Sequence, residues 1–178
     1  SPLSAYSQRK PDTIPPLASI PVSQHKLAFF VQRFRDDLAS TEHTHDITAG
    51  KDRTESLQSL YNGWLQLLAE IDFNSLTLED QIEYALFQRE VKHRITLLEF
   101  ETKRQSEALK LLPGLPPLIE LAEQRRALKP LHPEQAKRLI NDAIESLKTS
   151  QDRLAKDPAG VSPTLAFRAA KLLDGFRN

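Results

Sequence analysis

Thr77-Leu78-Glu79-Asp80-Gln81-Ile82-Glu83-Tyr84-Ala85-Leu86-Phe87 opens a run that reaches Leu112 without a glycine or a proline. Its first residues carry a helix start. The Thr77 hydroxyl can accept from free backbone N–H groups of the first turn, and Asp80 stands where a reciprocal side-chain cap would stand. Aspartate is shorter than the usual glutamate or glutamine there, so the box is imperfect. Glu79 and Asp80 also set negative charge at the positive end of the helix dipole. Pro113-Gly114 is a natural stop. The run therefore reads as one helix, about 77–112, roughly 50 Å long, and so a spine for several partners. Leu78, Ile82, Ala85 and Leu86 follow one face. Tyr84, Phe87, Val91, Ile95 and Leu98 follow an adjoining one. A stripe this broad implies more than one neighbour. Beyond Phe100 the pattern thins to charged residues until Leu109, Leu111 and Leu112.

Shorter helices are expected on either side. Residues 1–22 are rich in proline (Pro2, Pro11, Pro15, Pro16, Pro21), which implies an extended or irregular arm that Ile14, Leu17 and Ile20 could pin to the body. Ser23 can cap a first helix reaching about Ser40, with Leu27, Phe30, Val31, Phe34 and Leu38 at helical spacing. A second helix is expected from Asp52 or Thr54 to about Ile71, carrying Leu57, Leu60, Tyr61, Trp64, Leu65 and Leu68. Trp64, the only tryptophan, suits a packing anchor against the long helix better than a ligand-stacking role. The short Asp72–Leu76 link makes those two helices antiparallel neighbours. Leu115–Leu128 reads as a short helix with Pro116 and Pro117 in its first turn. Its inward set is Leu118, Leu121, Ala122 and Leu128, and Pro130 ends it. Leu131-His132-Pro133-Glu134 opens the next, with Ala136, Leu139, Ile140, Ala143, Ile144, Leu147 and Leu154 inward. Asp157-Pro158-Ala159-Gly160 breaks the chain, and Ser162-Pro163 starts a last helix with Leu165, Ala169, Leu172, Leu173 and Phe176. No segment alternates with period two, so no sheet is expected. The reading is all-α, about six helices around one long central helix. The 178 residues fit one helical domain over 23–178, or two small helical subdomains.

Composition narrows function mainly by exclusion. Basic and acidic residues balance at 24 each, which gives no nucleic-acid or anionic-membrane footprint. The pairs Lys103-Arg104 and Arg125-Arg126 read as solvated helix faces. With no cysteine, disulfides, thiolate metal sites and cysteine nucleophiles are excluded. No apolar run is long enough to span a bilayer. The absence of methionine, even at position 1, suits a processed periplasmic or secreted protein, or an expressed fragment.

Candidate chemistry is sparse. Glu42-His43-Thr44-His45-Asp46 gathers imidazoles and a carboxylate that suit zinc or nickel. His43, His45 and Asp46 are thus the metal candidates, although a solvated loop is the ordinary reading of so short a connector. His93 follows Glu90 by three residues, which supports an ion pair more readily than general-base catalysis. His25 and His132 stand near helix starts without companions. Glu79, Asp80, Glu83 and Glu90 share their helix with Arg89, Lys92 and Arg94, as surface ion pairs do. There is no H-E-x-x-H, phosphate loop or nucleophile elbow. No catalytic residue, cofactor-binding residue or cofactor is therefore assigned to this chain.

The passage Trp64-Leu65-x-x-Leu68-Ala69-x-Ile71-Asp72-Phe73-Asn74-Ser75-Leu76-Thr77-Leu78-Glu79-Asp80-Gln81-Ile82-Glu83-Tyr84 resembles the N-terminal helical region of a large bacterial family. That family is catalogued as domain of unknown function 885 and is related to zincin-type metallopeptidases. Its members carry a similar tryptophan-to-tyrosine passage that links two helices, the second of them long. The close match covers about a tenth of this chain; the general layout is similar through Leu111–Leu118. Members often continue with a Leu-Arg-Asn-Glu-like run, where this chain has Phe87-Gln88-Arg89-Glu90 and no matching asparagine. The family's zinc-binding H-E-x-x-H lies well downstream, so none of its catalytic residues maps here. The resemblance implies a scaffold walling one side of a cleft, with zinc held elsewhere in the parent protein. The partner it implies is the following part of the same polypeptide. The strong stripe close to Asn178 fits that expectation. The other expectation is a self-contained helical module that binds a peptide or protein.

Overall fold

The computed structural model describes residues 27–157 and 160–177. Six α-helices follow in order: α1 (Ala28–Thr44), α2 (Lys51–Ala69), α3 (Leu78–Leu109), α4 (Leu115–Arg126), α5 (Pro133–Lys156) and α6 (Pro163–Arg177). A single 3-10 turn, Phe73–Ser75, lies between α2 and α3. The fold is all-α, with no strand among the described residues. The long helix exists as one unbroken element of 32 residues. The expected cap at Ser23 and the proline-rich arm lie outside the described residues. The first helix runs past Ser40 to Thr44, since nothing after Ser40 breaks it before the connector that ends at Gly50.

The start of α3 shows what the short aspartate does. Asp80 N–H donates to Thr77 Oγ1 at 3.2 Å, and Thr77 Oγ1 donates to Asp80 Oδ2 at 2.7 Å. The carboxylate thus holds the hydroxyl rather than the cap's backbone N–H. Its other oxygen accepts from Leu27 N–H at 3.4 Å. Upstream, Asp72 Oδ1 accepts from Asn74 N–H, Ser75 Oγ donates to Asp72 O, and Gln81 Nε2 donates to Phe73 O and Leu76 O. Tyr84 Oη donates to Leu68 O at 3.1 Å, where α2 ends. The passage that carries the family resemblance is therefore a hydrogen-bonded reversal of the chain, in which the side chains of Asp72, Ser75, Thr77, Gln81 and Tyr84 bond backbone groups.

The described chain divides into two compact units: the described parts of Ser1–Thr44 with Ser56–Ile95, and His45–Glu55 with Thr96–Asn178. In the first, α1 contributes Phe30, Phe34 and Leu38, and α2 contributes Leu57, Tyr61, Trp64 and Leu68, all buried. From α3 come Phe87 and Val91. Trp64 is fully buried between the rings of Phe34 and Phe87, each 5.8 Å away between centroids. Phe34 and Phe87 lie 5.3 Å apart. Large core side chains like these resist truncation by about 3–5 kcal/mol each.

This arrangement corrects one expectation. Among the described residues no second helix covers the face of Leu78, Ile82, Ala85 and Leu86: Leu78 is 74 % exposed, Ile82 55 % and Leu86 60 %. The reason is that α1 and α2 pack on each other through Phe34 and Trp64, and both reach the same Phe87 side of α3.

The second unit has an aliphatic core of Ala108, Leu111, Leu112, Leu115, Ile119, Ala169 and Leu172. Gly114 stands at the start of α4 against α5, where a Cβ on it would fall 2.5 Å from Ala143 O. Leu128, expected inward, is 91 % exposed at φ 53°. It occupies the left-handed position just past α4, with Leu128 N–H donating to Arg125 O and Lys129 N–H to Gln124 O. That is a Schellman ending, and the geometry turns the Leu128 side chain away from the core. Pro130 then follows the cap.

Candidate functional site

The site that stands out is an apolar groove in the second unit. α5 is strongly amphipathic, yet only Ala143 and Ser150 on it are buried. Leu139, Leu147 and Leu154 are half-buried, while Ile140 and Ile144 are exposed. The apolar face of α5 is wider than its neighbours cover. The uncovered edge, with Leu111 and Leu112 after α3 and Leu173 of α6, bounds a groove of about 470 Å³. Its walls are Ile144, Leu147 and Leu154, and its polar side chains are Lys148, Ser150 and Gln151. No carboxylate, imidazole or nucleophile–base pair lines it. The groove offers dispersion and burial, with one cation at its rim; it suits an apolar ligand or helix face rather than bond-making.

A smaller cleft of about 330 Å³ lies where the 45–50 segment meets α4, lined by Lys51, Asp52, Glu120, Glu123 and Lys129 among others. Its carboxylates serve the fold. Glu123 Oε1 accepts from Asp52 N–H at 2.9 Å, so α4 supplies a carboxylate to the first turn of α2, where the dipole favours one. Burial pushes the Glu123 carboxyl above the usual range, opposed by this hydrogen bond and reinforced by the negative charges of Asp52, Glu120 and Glu55. Gly50 is required here because any side chain on it would run into Glu123 Oε1 and Ile47 O.

The sequence candidates fall as follows. His43 ends α1, and His45 and Asp46 begin the following segment. Arg53 Nη1 donates to His45 O at 2.9 Å, and Asp46 Oδ2 pairs with Arg126 Nη2 at 3.0 Å. Asp46 thus ties its segment to α4. Among the described residues no three His, Cys, Asp or Glu side chains group to hold a metal ion. His93 is exposed, and the carboxylate expected beside it goes to Arg94 instead, Glu90 Oε1 to Arg94 Nε being 2.7 Å. Four residues along a helix bring side chains together better than three do for this orientation. His132 precedes α5 without a side-chain cap bond. His25 lies outside the described residues.

One half-buried acid was not singled out by sequence. Asp37 on α1 pairs with Arg33 Nε at 3.0 Å through Oδ1, while its Oδ2 and Trp64 Nε1 are buried with no hydrogen-bond partner. Burial pushes the Asp37 carboxyl above its usual range, outweighing the Arg33 charge and the nearby indole N–H, both of which pull it down. The indole thus sits close enough to act on Asp37 electrostatically, in a geometry that falls short of a hydrogen bond. The position belongs to the aromatic core, beside Trp64. No described helix is long and apolar enough to cross a membrane.

A scan of protein-family models, a search of curated proteins and a search of solved structures each found no match to this chain.

Proposed function

We propose that this chain is a non-catalytic helical scaffold that works by docking polypeptide, and that it belongs to a zincin-like, metallopeptidase-related parent. The observation that carries the docking role is the α5–α6 groove, whose aliphatic walls are left open beside a closed core. The occupant that fits is an amphipathic helix presenting aliphatic residues at helical spacing and an acidic flank towards Lys148. In the parent, that helix comes from a later part of the same polypeptide. Any zinc resides there too, and this chain supplies the wall. The resemblance over 64–84 supports the choice of parent.

The test compares hydrogen exchange of α5 and α6 in the 178-residue chain with that in the whole reading frame. Extra protection in the longer protein, lost on Ile144→Glu, is the expected result. Equal exchange in both, together with binding of a helix from a separate protein, replaces this reading with a self-contained interaction module. Equal exchange with no helix binding overturns docking altogether. Separately, chelator-sensitive peptide turnover by a metal-cleaned preparation of the chain would refute the non-catalytic role.

A further inference from the structure

We infer that the open aliphatic row of α3, formed by Leu78, Ile82 and Leu86, docks into the α5–α6 groove of a second copy of this chain. The inference rests on the reading of that groove as a docking site, and adds an occupant that the chain itself carries. Row and groove are both apolar surfaces that helix packing leaves open. Leu78, Ile82 and Leu86 are exposed on α3, and Ile144 is exposed on α5, beside Leu147 and Leu154 of the groove wall. Apolar surface gathered in this way marks a contact more often than it marks free solvent-facing helix.

A second copy is chosen as occupant on two grounds. The first is size and shape. The row from Leu78 to Leu86 is about 12 Å long at helical rise, and the stretch of α5 from Ile144 to Leu154 that walls the groove is about 15 Å long. Leu78, Ile82 and Leu86 recur every fourth residue, so they form one ridge of the kind that helix packing sets into a groove. A helix that lays such a ridge into an apolar channel is a recurrent mode of recognition.

The second ground is charge. At roughly 3.6 residues per turn, Glu79 and Glu83 lie along one flank of the row, and the exposed Arg89 follows beyond Leu86. On α5 the order of charge is reversed: Lys148 lines the groove, and the exposed Asp152 stands one turn after it. Parallel alignment of α3 with the other copy's α5 therefore sets Glu83 towards Lys148 and Arg89 towards Asp152. The spacings agree, at about 9 Å from Glu83 to Arg89 and about 6 Å from Lys148 to Asp152, a difference that the arginine side chain absorbs. Antiparallel pairing of two α3 rows instead brings Glu79 and Glu83 against their own copies, and like charges set together oppose association. The contact joins two different patches, so it runs head to tail. A downstream helix in a longer polypeptide competes for the same groove.

Disulfide formation between mixed chains tests it, because the chain has no cysteine of its own. Ala85→Cys beside the row and Gln151→Cys in the groove are exposed positions that leave every aliphatic residue of the contact in place. Circular dichroism checks that each variant folds, and each rate is divided by that of the same thiols with a small disulfide reagent. A Gln151→Cys chain should join an Ala85→Cys chain about tenfold faster than it joins a Ser59→Cys chain, substituted at an exposed position of α2, in line with the effective concentration that docking adds. Adding Ile82→Asp to the Ala85→Cys chain should bring the two rates together. Lys148→Glu in the Gln151→Cys chain should slow the faster pair several-fold. Equal rates at the outset overturn the inference, and so does a fast rate that survives either change. Ala85→Cys chains that join each other fastest also overturn it, and assign the row to a two-fold contact. The groove reading is judged apart, by hydrogen exchange in the whole reading frame. Protection of α5 and α6 there, with equal disulfide rates here, overturns only the second-copy occupant; no protection and equal rates remove both.

Discussion

Adding one methyl group at Gly114 and one at Gly175 should move the stability of the second unit in opposite directions. Gly114 lies at φ −80° and ψ −12°, a backbone region open to any residue, so conformational strain contributes nothing to the comparison. The obstacle is space. A Cβ at Gly114 would lie 2.5 Å from Ala143 O and 3.1 Å from Ala143 C and Cα. Against the 3.4 Å at which ordinary contact begins, the oxygen is short by about 0.9 Å. All three atoms are backbone, so no rotamer change relieves the clash and α4 must lift off α5. Forced overpacking costs about 1–3 kcal/mol, and the stiff neighbour places this site in the upper half. Removing glycine from the unfolded chain returns about 0.4–1 kcal/mol. Gly114→Ala is therefore expected to lose about 1–2 kcal/mol, or about 3–6 °C in Tm. At Gly175, inside α6, the nearest atom to a new Cβ is Thr48 Oγ1 at 3.7 Å. Gly175→Ala should gain roughly 0.5 kcal/mol, half of a mid-helix effect because the helix end is near. Urea unfolding followed by circular dichroism reads both. A Gly114→Ala protein as stable as the parent would refute the reasoning. So would full rescue of Gly114→Ala by Ala143→Gly, since that change leaves the clashing backbone in place.

Three further outcomes follow from named contacts. Leu128→Gly should stabilise by about 0.5–1 kcal/mol in the same assay, because it relieves a left-handed residue and gives up almost no buried surface; a loss would mean that Leu128 is held by contacts its 91 % exposure excludes. Tyr84→Phe should cost about 1 kcal/mol by removing the donor to Leu68 O, and no change on denaturation would show that bond to be inert. The third concerns pH. Asp37 has a folded pKa raised above the ordinary 3.8, chiefly by burial. The folded state then binds the proton more tightly than the unfolded chain does. Its contribution is complete below the ordinary carboxylate pKa and is lost as pH rises through the raised value. Stability should thus decline as pH climbs from the ordinary carboxylate range towards neutrality, and Asp37→Asn should flatten that part of the profile. An unchanged slope in the variant would remove Asp37 as its source.

The helices themselves were legible in the sequence, because each start and stop depends on residues within a turn of it. Thr77 with Asp80, Pro133 and Ser162-Pro163 mark starts through groups that satisfy or omit first-turn N–H donors. Pro113-Gly114 and Pro130 mark ends for the complementary reason. Leu128 was misjudged because its helical spacing suggested burial, while the chain there had already turned into the left-handed cap. The role of Asp46 was not legible for a different reason: it meets Arg126 across 80 positions of sequence, and no local pattern announces that pairing. The groove was only half legible; the broad apolar face of α5 was read, but not that Ile140 and Ile144 would be left outside.

What the sequence alone determined is therefore the all-α class, the element order and the unbroken course of α3. These follow from hydrophobic period, caps and breakers, which act locally. Tertiary structure alone decided which faces are covered. An apolar row records that a helix can bury a side, whereas the side actually buried depends on how α1 and α2 meet one another first, through Phe34 and Trp64. It also decided the close approach of Gly114 to α5 and the carboxylate that Glu123 lends to α2. Each of these joins residues distant in the chain, and their geometry is fixed only when the helices pack.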